Sequence, residues 1–410
     1  MKKKSIVPTH WYNIVPFIEK KLGYKVPFLL DPKTHKPMKA EHLAKFLPLE
    51  LAKQELGSEG MYTKKEYILV PKPVLDLYKT YRPSPLIRAR KLEKYLKLEK
   101  VKLYYKREDK NIIGSYKLNS SYPQAYYAKS EDVKIFVADT GPGNWGMGMA
   151  LACKKFGVTA IIYMEEDNYK KKMHKVKVME RLGAEVIPIK TKHGTIAASL
   201  SEAMKIVNLH PKNKLCLGCL TAYSALHNTI IGLELKKQLK EKNIKPDALI
   251  GVVGGGSSFS GLVFPFIKDY MGKTEFIAVE STSVPSFSKG EYRYENPDLL
   301  GLMPRAKMYT LGNDFVPEKL GASGLNYHGK NPLLSLLVHK KVITAVPYSH
   351  KEVDPVQALF KRIEGFKPAA ESCYAIKGAI EKAREWNGQE KTIVFTITGN
   401  EENISIYAEN

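Results

Sequence analysis

Short apolar runs that alternate with segments of helical spacing constrain this chain more than any other feature. Val101–Lys106, Val133–Ala138, Val158–Met164, Ala184–Ile189, Ala248–Val253, Glu275–Val279 and Thr392–Thr398 read as strands. Helices are predicted after Lys117 and over Asn144–Phe156, Tyr169–Leu182, Thr195–Asn208 and Ala222–Lys240. Several of the strands are unbroken apolar runs rather than alternations, which indicates parallel sheets covered by helices on both faces. A boundary near residue 225 separates two such sheets, and residues 81–116 cross between them. Residues 1–80 read as a leader packed on a core, with a helical pattern over His42–Leu56, and Ser288–His350 reads as irregular.

Three loops placed after strands carry chemistry. In Val253-Gly254-Gly255-Gly256-Ser257-Ser258 a buried strand runs straight into glycines. Glycines let backbone N–H groups converge on an anion, and hydroxyls with a helix N-terminus add donors, so a phosphate is the natural ligand. A dinucleotide fingerprint fails because Phe259 stands where a third small residue is needed, and no Gly-Lys-Ser/Thr follows to make a P-loop. In Asp139-Thr140-Gly141-Pro142-Gly143-Asn144-Trp145 an acid precedes a second glycine loop that opens a helix. That loop suits a carboxylate, although an Asp capping a helix reads equally well. The third, Gly114-Ser115-Tyr116-Lys117, sets a lysine at a helix start, where a deprotonated amine acts as a nucleophile or forms a Schiff base. Such a lysine together with a phosphate cup fits pyridoxal phosphate. Thr398 ends a strand where open α/β sheets bind ligands, though threonine is also simply a good strand residue.

The chain of 410 residues is long enough for two domains. Its formal net charge of +23 fits either nucleic-acid binding or a lysine-rich surface of the thermophile kind. The lysines are scattered along helix faces and no nucleic-acid-binding motif occurs, so a solvated surface is expected and a nucleic-acid partner is not. Cys216 and Cys219 form a C-x-x-C without a second pair to complete a zinc site; with Cys153 and Cys373 they read as free thiols, and no metal is expected. No apolar secretory core and no membrane-spanning run is visible, so a cytoplasmic location without membrane association is expected.

Taken in order along the chain, these motifs resemble the tryptophan synthase β chain family. Lys106-Arg107-Glu108-Asp109 with Gly114–Asn119 is similar to its cofactor-lysine segment, and Asp139–Gly146 to its substrate loop. Gly254–Ser258 looks like its phosphate cup, and Glu364-Gly365 with Pro368-Ala369 and Glu371-Ser372 is similar to a further family segment. Arg82-Pro83-Ser84-Pro85-Leu86 resembles its opening motif. Lys289–Tyr294, Lys307–Gly312 and Gly324–Gly329 are similar to the longer, stand-alone branch. The resemblance implies fold type II of the pyridoxal-phosphate enzymes, α/β, with two three-layer domains and the cofactor in the cleft between them. Residues 1–80 and 117–225 would form the N-terminal domain, with a mobile substrate-closing part at about 132–205; 81–116 and 226–410 would form the cofactor-phosphate domain.

Carried over residue by residue, the resemblance implies that Lys117 bears the cofactor and moves the Cα proton, with Asp139 as second catalytic residue. Asn119, Gly254, Gly255, Gly256, Ser257, Ser258, Glu364 and Thr398 would bind cofactor. Thr140, Gly141, Gly143, Asn144 and Trp145 would bind substrate. The implied reaction joins L-serine or O-phospho-L-serine to indole, in a homodimer with no obligatory α subunit. Asp139 replaces the family's Glu, Tyr116 its His, Ser258 its Asn, Asn144 its Gln, Thr398 its Ser, and Asn326 the branch's Arg. A dehydratase, a sulfhydrylase or a paralogue with another acceptor remains the alternative.

Overall fold

The computed structural model describes residues 6–56, 65–190, 195–318, 321–402 and 404–407. The first five residues, part of the segment read for a secretory signal, lie outside them. Two sheets, the larger mostly and the smaller wholly parallel, organise the described residues. The larger runs in the order Thr344–Tyr348, Glu275–Ser281, Ala248–Val252, Thr392–Ile397, Lys102–Arg107, Leu86–Arg88. Every neighbouring pair is parallel except the last, which is antiparallel. The smaller runs Glu185–Ile189, Thr159–Glu165, Ile135–Thr140, Asn213–Cys216, all parallel.

The central strands are apolar throughout because both faces are covered. Successive side chains of a strand point to opposite faces. Leu249 and Val394 join the core under helix Ser257–Tyr270, while Ile250, Ile393 and Phe395 join the one under helix Ala370–Glu385. Gly251 lies at a close approach: a Cβ there would meet the Phe259 ring at 2.8 Å and Thr396 Oγ1 at 3.2 Å. Phe259 is the residue that spoils the dinucleotide fingerprint, and it is wholly buried core. Gly251→Ala is therefore expected to lower stability by about 1–3 kcal/mol through overpacking, read as a lower urea midpoint at unchanged slope.

Several expected elements are divided. The helical run over His42–Leu56 becomes Ala40–Leu43 and Leu49–Glu55, because Pro48 interrupts it and caps the second. Tyr169–Leu182 breaks at Lys172, and Ala222–Lys240 breaks at Thr229, into four shorter helices. The region 288–350 is far from irregular. It holds the antiparallel pair Glu291–Glu295 with Ala306–Thr310, helix Pro332–His339 and the edge strand Thr344–Tyr348. That strand carries Pro347, which an edge tolerates because one side of it needs no ladder.

A buried polar network lies beneath the lysine helix. Arg82 donates to Glu108 at 2.5 Å, to Asn119 at 2.9 Å and to Glu234 at 3.2 Å. Lys106 donates to Glu234 at 2.5 Å, Ser84 O at 2.7 Å and Gln238 at 2.8 Å. Burial works to raise the Glu108 carboxyl, but Arg82 and then Lys106 outweigh it and hold it below the ordinary range.

Candidate active site

Loops after the strands of both sheets meet in one cleft lined by Lys117, Asp139, Thr140, Asn144, Gly254, Ser258, Thr398 and their neighbours. Lys117 immediately precedes helix Leu118–Ser130, and its Nζ donates to Gly218 O at 3.0 Å. Main-chain bonds stitch this turn to the end of strand Thr392–Ile397: Tyr116 N donates to Thr398 O at 3.0 Å and Asn400 N to Gly114 O at 3.1 Å. Burial alone would lower the Lys117 pKa, but Tyr116, Cys219 and Asp139 outweigh it, so the amine is held above its ordinary value. In the ligand-free protein it is an ammonium that must lose a proton before it can act as a nucleophile.

The glycine loop faces this lysine. Gly256 has φ of +106° and precedes the 14-residue helix Ser257–Tyr270. A Cβ at 254 would meet Gly324 O at 2.7 Å, and one at 255 the Cys219 sulfur at 2.6 Å. The loop therefore has to be glycine for packing as well as for any ligand. Ser257 Oγ lies 3.2 Å from Tyr116 Oη and donates to Gly218 O at 3.2 Å. Ser258 Oγ is buried and has no hydrogen-bond partner in the protein. A lone buried hydroxyl in the first turn of a long helix is the donor a phosphate would complete, so these residues fit the cofactor's phosphate. Ser258→Ala is expected to leave the cofactor-free protein as stable as before and to weaken cofactor affinity roughly tenfold, measured by absorbance titration.

Thr398 closes the far end of the cleft. Its Oγ1 lies 3.1 Å from Ser372 Oγ, which also accepts from Thr398 N at 3.1 Å. A neutral hydroxyl pair, rather than a carboxylate, therefore stands there.

Asp139 is the penultimate residue of Ile135–Thr140, an inner strand of the smaller sheet, and is 8% exposed. Burial pushes its carboxyl up to about 7, against the pull of its backbone hydrogen bond and of Lys117. A carboxyl poised there both gives and takes protons near neutral pH. Thr140 Oγ1 accepts from Gly146 N at 3.1 Å, and Asn144 opens the helix Asn144–Phe156. Trp145 is buried, with its ring 5.9 Å from Lys117 Nζ. Gly143 turns the chain at φ of +90° against the Lys175 side chain and, unlike Gly141 and Asn144, is not among the residues lining the cleft.

Two expected cofactor ligands lie elsewhere. Asn119 is wholly buried in the Arg82–Glu108 network, its Oδ1 accepting from Tyr81 at 3.0 Å and Arg82 at 2.9 Å. Glu364 ends helix His350–Glu364 and accepts from Leu92 N at 3.0 Å and Tyr105 Oη at 3.1 Å, outside the cleft lining. In its place Glu371 lines the cleft, accepting from Gly324 N at 2.9 Å. The segment Pro368–Ser372 at the start of a helix was the signal for it. Gly218, with no prior mark in the sequence, and Cys219, marked there only as half of a C-x-x-C, also line the cleft. Cys216 donates to Val137 O at 3.2 Å and points into the core, so the C-x-x-C is not a pair. Among the described residues no group of His, Cys, Asp and Glu is placed to hold a metal ion, and no helix is long and apolar enough to cross a membrane.

Comparison with known proteins agrees with this cleft. Residues 77–399 match the family model described as pyridoxal-phosphate dependent enzyme. The tryptophan synthase beta chain of Thermosipho africanus is 40% identical over 409 residues, covering 96% of this chain and 95% of its own. That of Pyrococcus horikoshii is 40% identical over 418 residues, covering 97% of this chain and 88% of its own. Tryptophan synthase beta chain 2 of Thermotoga maritima is 38% identical over 416 residues, with 97% and 96% covered. Among solved structures, the processed form of threonine deaminase isoform 2 from Solanum lycopersicum superposes with a TM-score of 0.61 over 80% of this chain and 81% of that one. At 21% identity, that likeness speaks to the fold alone. The chain belongs to the tryptophan synthase β chain family of pyridoxal-phosphate dependent enzymes.

Proposed function

We propose that the chain makes L-tryptophan by β-replacement, from indole and either L-serine or O-phospho-L-serine. The observation that carries this reading is one cleft holding Lys117, the hydroxyl of Thr398 and a carboxyl poised near neutrality at Asp139. When bound, pyridoxal phosphate supplies an electron sink for the substrate's Cα bonds. Gly254, Gly255, Gly256, Ser257 and Ser258 would hold its phosphate, and the Thr398 hydroxyl would stand toward its ring as a neutral partner. Thr140, Gly141, Gly143 and Asn144 receive the amino acid's carboxylate at the positive end of helix Asn144–Phe156. Lys117, as the free amine, takes the Cα proton. Asp139, protonated below about 7, gives a proton to the departing β-oxygen. As a carboxylate it then accepts the N–H of the incoming indole. Trp145 packs beside the lysine and keeps water from it.

The part at 132–205 closes over the substrate, and residues 81–116 with 226–410 carry the cofactor phosphate. The chain works in the cytoplasm as a homodimer without an obligatory α subunit, so sedimentation of the purified protein is expected to give twice the 46.2 kDa chain mass. The deciding experiment supplies serine or phosphoserine with and without indole. Tryptophan is expected only with indole; pyruvate whatever the indole, and no tryptophan, overturns the reading in favour of a dehydratase.

A further inference from the structure

Lys175 occupies a place that is electrostatically wrong for a lysine unless an anion joins it. It comes from helix Met173–Arg181 and is 9% exposed. Its Nζ donates to Pro142 O at 3.0 Å and to Asn144 Oδ1 at 2.5 Å. The 13-residue helix Asn144–Phe156 begins at the same residues, so the ammonium lies at a helix's positive end, where the dipole disfavours cations and favours anions. Neither partner carries a charge to offset it. Burial draws its pKa down to about 8, Glu371 and Glu401 act the other way, and Lys172 adds to the lowering. Glu371 belongs to the cleft itself.

We propose that Lys175 is a positioning residue for the amino-acid substrate, holding the 140–144 loop in the shape that receives the α-carboxylate. By engaging Asn144 Oδ1 it leaves the same side chain's Nδ2 as the end free to donate within the cleft that Asn144 lines. Its charge, one layer behind the loop amides, adds to the field that the carboxylate meets. This inference rests on the reading of the loop as a carboxylate site.

The test uses holoenzyme and follows the cofactor's absorbance during titration with L-serine and with L-serinamide, which has no carboxylate. Lys175→Met is expected to weaken L-serine binding roughly tenfold to a hundredfold, the loss of a charged hydrogen-bonding group, and to leave serinamide binding unchanged. Lys175→Arg should restore most of the loss. Lys175→Gln, which keeps a donor without the charge, should lie between and guards against misfolding of the Met variant. Equal weakening of both ligands, or of neither, overturns the proposal. Should the wild-type enzyme bind serine and serinamide alike, the carboxylate-loop reading fails and Lys175's role with it; cofactor uptake, which depends on Lys117, would be untouched by that result.

Discussion

Lys117→Ala yields a folded protein that loses all pyridoxal phosphate when treated with borohydride and denatured, whereas the wild type keeps one cofactor mass on the peptide bearing Lys117. Tryptophan formation drops by on the order of a thousandfold or more, because both covalent anchoring and Cα proton transfer go at once. Folding survives because the turn around residue 117 is held by main-chain bonds, Tyr116 N to Thr398 O and Asn400 N to Gly114 O, that the substitution leaves in place. The variant loses the side-chain bond to Gly218 O and the ammonium's contacts with the Tyr116 and Trp145 rings. Cofactor reappearing on a second lysine would sink the assignment.

Asp139→Asn separates rate from stability. The rate falls roughly 10²–10⁴-fold, the usual weight of one positioned acid–base group, and the wild type's decline above about pH 7 in the free enzyme disappears. Stability moves the other way. Asp139 has a folded-state pKa raised from 3.8 to about 7, so the folded protein holds its proton more tightly than the unfolded chain does. Its favourable contribution is complete below pH 3.8 and is lost as pH rises through 7, which leaves a buried carboxylate at pH 8. Asparagine removes that penalty. The cofactor-free variant should therefore gain a few kcal/mol over wild type at pH 8 and much less at pH 5, measured by urea unfolding at both. A variant equally destabilised at both pH values would show that Asp139 is structural, not poised.

What could be read from the sequence was what lies contiguous after a strand. The Gly254–Ser258 and Asp139–Trp145 loops each follow an apolar run, Ser115–Lys117 lies in the connection after strand Lys102–Arg107, and parallel strands deliver such loops to the same edge of their sheet. Asn119 was misplaced for a geometric reason: two residues beyond Lys117 lies about 200° around a helix, so its side chain turns into the core while the lysine faces the cleft. Glu364 and Glu371 sit seven residues apart in one motif, and only the second stands at the mouth of a helix that opens on the cleft. Gly218 and Lys175 could not be read at all, and Cys219 only as half of a C-x-x-C, since their contacts with residues 117, 144 and 255 join segments distant in the chain and exist only once the elements are packed. The strands Leu86–Arg88 and Thr344–Tyr348 escaped notice because short edge strands need neither continuous apolarity nor the absence of proline.

The stitching of the lysine turn to the C-terminal strand has a consequence for how such a protein can change over generations. The spacing between residue 117 and residue 398 is a property of peptide groups, so it is inherited whatever side chains stand at 116, 257 or 398. Point substitutions at those positions can alter proton donors and the shape of the cleft one at a time, while the span between residues 117 and 398 stays fixed. A tyrosine beside the lysine and a threonine at the strand end are then independent edits to a frame that neither of them sets.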